Sequence, residues 1–257
     1  MPLFSAHLSR LFTEQPFIDR FGAAGAAGFT GVEYVSPGDT PHEMVAERLS
    51  AHGLTLALFN AATGDMSRGE RGLAAQVRRE AEYAAALDWA HDHAKATGAQ
   101  KIHLMAGNGD RGDARVRALY RDNVVRAAER LGPLGVVVVL EPINGRDMPG
   151  YFLNDYGFAA DLIADIGLPN VRLLFDAYHR QIMHGDVVRS LRELWPLVGH
   201  IQIASVPSRQ EPDTEEFRFE FFFEELDRLG YTSFVGAEYT PRAGTAEGLG
   251  WYARYRR

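Results

Sequence analysis

The chain of 257 residues contains no cysteine. That absence excludes a disulfide framework, a thiolate metal site and a cysteine nucleophile, so any metal has to be held by oxygen or imidazole. No apolar run approaches the roughly 20 residues needed to span a bilayer, and residues 1–20 lack a basic start followed by an apolar segment. A cytoplasmic protein with no membrane partner is expected. Positive charge is also in short supply. There are 27 Lys and Arg against 34 Asp and Glu, a formal net charge of −7, which disfavours a nucleic-acid partner. No H-E-x-x-H zinc spacing and no G-x-S-x-G nucleophile elbow is present. The G-N-G-D-R-G stretch at 107–112 lacks the Gly-Lys-Ser/Thr that would complete a phosphate-cradling loop, so a flexible turn is expected there.

What is present is an ordinary globular composition, 46% hydrophobic and 24% charged, arranged as short apolar strands alternating with longer amphipathic stretches. The most distinctive stretch is V-V-V-V-L-E-P-I-N at 136–144. Its β-branched residues suit a strand buried on both faces, and Pro142 stops the ladder directly after Glu141. Further strands are predicted over 3–8, 31–35, 54–60, 101–106, 171–176, 200–204 and 234–238. Helices are predicted over 17–28, 41–52, 71–97, 114–131, 156–165, 187–197, 217–229 and 245–255. Eight strands, each followed by a helical segment, match an α/β fold of the (β/α)8 TIM-barrel type, with residues 1–257 as one domain. A doubly wound open sheet usually carries glycines in its first turn, and residues 8–16 have none.

Four of the late strands finish on or near a residue able to bind a hard cation: Glu141, Asp176, Gln202 and Glu238. In a barrel these ends converge on one mouth, and three carboxylates with one amide oxygen suit Mg²⁺ or Mn²⁺. Without a cation the carboxylates would repel one another. His179 follows Asp176 by three residues and is a candidate for hydrogen bonding a substrate, while His7 and Asn60 close strands that open onto the same mouth. His103 falls inside a strand and is expected in the core. Arginines at 68, 71, 146, 209 and 242 follow strand ends and are candidates to meet an anionic substrate, with Arg68 and Arg209 taken forward.

Several motifs in order extend the pattern: F-S-A-H-L-S-R-L-F at 4–12, G-V-E-Y at 31–34, G-D-M-S-R-G-E-R-G at 64–72, L-E-P-I-N at 140–144, F-D-A-Y-H-R-Q at 175–181, H-I-Q-I-A at 200–204, P-S-R-Q-E-P at 207–212 and G-A-E-Y at 236–239. Together they resemble the hydroxypyruvate isomerase family of the xylose-isomerase-like TIM barrels. The resemblance implies metal ligands at Glu141, Asp176, Gln202 and Glu238, with Glu141 and Glu238 also the catalytic acid/base pair. It implies interconversion of hydroxypyruvate and tartronate semialdehyde by metal-assisted enediolate proton transfer. His7 stands where relatives generally carry Asn, and Ser205-Val206 replace an Asp-Asn pair. The stretches L-T-L-A-L-F-N at 54–60 and G-L-G-W-Y-A-R-Y at 248–255 are similar to the sister group, the 2-oxo-tetronate isomerases, which makes that activity the alternative. A non-catalytic sugar-acid-binding barrel is a more distant one. A ketose 3-epimerase of this type resembles Glu-Asp-His-Glu at the metal, and Gln202 departs from it. The expected partner is a small 2-oxo or hydroxy sugar acid, with a homo-oligomeric state left open.

Overall fold

The computed structural model describes residues 2–256. Its strands are β1 (Leu3–His7), β2 (Gly31–Tyr34), β3 (Thr55–Ala61), β4 (Lys101–Leu104), β5 (Val137–Leu140), β6 (Val171–Asp176), β7 (Val198–Ile203) and β8 (Phe234–Ala237). They follow one another in sequence order and close into a barrel, β8 pairing in parallel with β1. The helices are α1 (Arg20–Ala26), α2 (His42–Ala51), α3 (Glu80–Thr97), α4 (Ala114–Leu131), α5 (Tyr156–Ile166), α6 (Ala177–His184), α7 (Val187–Leu194), α8 (Phe219–Arg228), α9 (Thr245–Gly248) and α10 (Gly250–Tyr255). The expected α/β barrel is the observed one. Contacts group the chain into two units, one made of residues up to 57, 175–196 and 200 onward, the other of 58–174 and 197–199.

In the first unit, aromatic packing fixes α10 to β1. Phe4 meets Phe223 and Trp251 edge-on, each with ring centroids 5.2 Å apart, and Phe29 stacks on Tyr252 at 4.1 Å. Such pairs add to the burial of their rings. Alternation along the strands then sorts the polar residues. Ser5 is in register with Gly31 and Gly236, Gln202 with Gly236, and His7 with Glu33, so these side chains share one face of the sheet.

The second unit has Leu58, Val139 and Leu174 fully buried against one another, with Val137 packed on them. Thus the valine run does form a buried strand, and Glu141 is the residue immediately after it. The helix predicted over 71–97 begins only at Glu80. Gly72 has φ +135° and Arg78 φ +67°, which no helix accommodates, and Gly72 instead bridges to Ala106. Another departure lies after β6, where α6 starts at once. The Asp176 carboxylate accepts a hydrogen bond from the Tyr178 N–H and caps the helix, so His179 lies on a helix rather than in a loop.

A Cβ at Gly72 would collide with the Met105 carbonyl oxygen and the Gly107 nitrogen. Replacement of Gly72 by Ala is expected to lower stability by about 1–3 kcal/mol, as overpacking does elsewhere. Urea unfolding measures it, and an unchanged midpoint would contradict the close approach.

Candidate functional site

Six of the candidate residues lie in the first unit: His7, Asp176, His179, Gln202, Arg209 and Glu238. Beside Gln202 stands a group that the sequence alone leaves unassigned, Glu33 on β2. It is fully buried, and its carboxylate is surrounded by donors. Gln202 Nε2 donates to Oε1 at 3.0 Å, His200 Nε2 stands 2.8 Å from Oε2, and Ser5 Oγ reaches Oε2 at 3.4 Å. Burial pushes the Glu33 carboxyl up to about 7, even though His7 and the Gln202 amide favour its ionised form.

Glu238 follows β8 and is pinned by two guanidinium groups. Arg10 Nε lies 3.0 Å and Arg209 Nη2 3.1 Å from its Oε1. Burial alone would raise its pKa, but Arg209, His7, Arg10 and His179 outweigh that and hold it well below the usual carboxylate range. The converse applies at Asp176, where burial dominates and drives the carboxyl upward against the pull of Arg209. His179 Nε2 lies 3.6 Å from Asp176 Oδ2. Burial lowers the pKa of His7 against the pull of Glu238 and Glu33.

The loop after β7 brings in Arg209. Its backbone has φ +57°, its N–H donates to the Ser205 carbonyl and its carbonyl accepts from the Thr240 N–H. The guanidinium also lies over the Tyr178 ring, 4.8 Å from the centroid. Buried Ser205 closes the same turn by donating to the Glu211 carbonyl, which gives that residue a structural part in the loop.

Glu141, Asn60 and Arg68 lie in the second unit. Buried Glu141 has its Oε2 3.2 Å from His103 Nδ1, so His103 is a core residue that also meets a carboxylate. Half-buried Asn60 is in register with His103 across β3 and β4. Arg68 lines a cavity of about 180 Å³ together with Arg71, Arg79, Gln76 and Asn108.

Glu33, Arg10, His200 and the His103 contact were all missed as site features. For Glu33 a signal existed: a carboxylate inside G-V-E-Y poses the same desolvation problem that draws attention to Glu141. Arg10 and His200 had none, because their partners come from distant strands.

The model of the family described as xylose isomerase-like TIM barrel matches residues 21–255. Over 257 residues the chain is 47% identical to the 2-oxo-tetronate isomerase of Cupriavidus necator, covering 99% of both chains. It is 36% identical to the hydroxypyruvate isomerase of Escherichia coli, covering 98% of this chain and 99% of that one. A solved structure described as AP endonuclease, family 2, from Brucella melitensis superposes over 100% of both chains with a TM-score of 0.96 at 41% identity. The chain therefore belongs to the xylose isomerase-like TIM barrels, in the family of the hydroxypyruvate and 2-oxo-tetronate isomerases.

Proposed function

We propose that the protein is a divalent-metal-dependent isomerase of short 2-oxo sugar acids. The observation that carries this reading is the end-to-end likeness to relatives named for that chemistry. Hydroxypyruvate and tartronate semialdehyde differ in which of two adjacent carbons bears the carbonyl, so the reaction moves a proton from one carbon to the next. In 2-oxo-tetronate the same step operates with one further hydroxymethyl group. The 47% identity to a 2-oxo-tetronate isomerase supports including that substrate beside hydroxypyruvate. The description of the Brucella structure brings a nuclease to mind, but a net charge of −7 gives a phosphate backbone nothing to favour.

The donor chemistry fits a hard cation. Gln202 Oε1 is buried and has no hydrogen-bond partner among the described residues, while its Nε2 is committed to Glu33. An amide oxygen so placed suits Mg²⁺ or Mn²⁺. In the first unit Asp176 and His179 are two further buried groups of a kind able to hold a metal ion. In this reading Glu141, Asp176, Gln202 and Glu238 are the ligands, with His179 beside them. When bound, the cation would stabilise the negative charge that develops on the substrate as the proton is moved.

The protein's own groups do the rest. Glu238, kept ionised by its arginines, and Glu141 are the pair assigned to accept and return the proton. Arg209 and Arg10 receive the substrate carboxylate, with Arg68 a further candidate from the 64–72 loop. His7, Asn60 and His179 offer hydrogen bonds to substrate hydroxyl and carbonyl oxygens.

Replacing Glu141 or Glu238 by Gln is expected to lower kcat by about 100-fold or more, the scale of a lost acid/base group, with the circular dichroism spectrum kept. Near-normal turnover in either variant would contradict the assignment. Steady-state assays with Mn²⁺ on hydroxypyruvate and 2-oxo-tetronate side by side are expected to show isomerisation that chelator abolishes and Mn²⁺ restores. Turnover of neither compound would overturn the substrate class, and full activity in chelator would overturn the metal.

A further inference from the structure

We propose that Glu33 is a positioning residue that aims the Gln202 carbonyl oxygen at the bound cation. This inference rests on the metal reading above and deepens it. A glutamine amide can turn either end toward a ligand, and only the oxygen end binds a cation. Here the other end is taken. Gln202 Nε2 donates to Glu33 Oε1, which leaves Oε1 of Gln202 as the end without a hydrogen-bond partner among the described residues. Glu33 is in turn held rigid, because its second oxygen faces His200 Nε2 and Ser5 Oγ. Its two carboxylate oxygens are thus assigned to different tasks.

The sheet makes room for this arrangement at one position. Gly236 is in register with both Ser5 and Gln202, and a Cβ there would lie 2.7 Å from Glu33 Oε2 and closer still to Oε1. The carboxylate therefore occupies the space a side chain at 236 would fill. Neither a core packing role nor a surface role explains a fully buried carboxylate seated over a glycine. A device that orients an amide does, in the way partners beyond the ligands orient many metal sites.

The test is a double-variant cycle on Mn²⁺ affinity, read by electron paramagnetic resonance of free Mn²⁺ with no substrate present. Glu33→Ala and Gln202→Ala are each expected to weaken binding by about tenfold or more, the scale seen when such partners are lost. The double variant is expected to bind no worse than Gln202→Ala alone, because once the ligand is gone Glu33 has nothing left to aim. Additive losses, or wild-type affinity in Glu33→Ala, would overturn the inference. Should Glu33→Ala fail to fold, Glu33→Leu, which keeps most of the volume and offers no acceptor to Gln202, enters the same cycle, with weakened and non-additive binding again expected and unchanged binding again overturning the inference. If the wild-type protein itself binds no Mn²⁺, the metal reading falls; if it binds and only the cycle fails, the role of Glu33 alone falls.

Discussion

A carboxylate taken out of water costs several kcal/mol unless hydrogen bonds and opposite charge replace the lost solvent, and that cost shapes the first unit of this protein. Glu33 sits fully buried with Ser5, His200 and Gln202 around it. Glu238 receives two guanidinium groups on one oxygen. Asp176 is satisfied in part by the first N–H groups of α6, which its own side chain caps. Each solution uses a different partner. The result is a set of buried acidic groups whose protonation is set by what stands next to them.

The same constraint explains the small residues and the arginines. Gly236 leaves space for the Glu33 carboxylate, and Ser205 ties the loop that presents Arg209. Arg209 reaches Glu238 from a left-handed backbone position and is steadied on the Tyr178 ring, so one residue joins the loop after β7 to the end of β8. Two arginines beside one carboxylate are an unusual investment for a site that handles neutral sugars. They suit a substrate that brings a carboxylate of its own.

Much of this was legible from pattern alone. Buried strands announce themselves through β-branched runs such as 136–140, and acidic or amide residues at their ends mark the chemical edge of a parallel barrel. The segment at 71–79 was not legible as a loop, because its helix-like composition is overridden by the backbone at Gly72 and Arg78. The start of α6 was hidden for a related reason: Asp176 is both a strand end and a helix cap, and no turn residues separate the two. Glu33 and Arg10 stood in motifs noticed for their resemblance, yet their roles depend on pairings across 169 and 228 residues of sequence. Local pattern carries no information over such separations.

The central claim is the proposal that the buried oxygens at Asp176, Gln202 and Glu238 take a hard cation in the resting protein. Anomalous diffraction from crystals grown with Mn²⁺ tests this most directly. A single strong peak within bonding distance of Gln202 Oε1 and the Asp176 carboxylate is the expected result. A peak elsewhere, or none at saturating Mn²⁺, would contradict it.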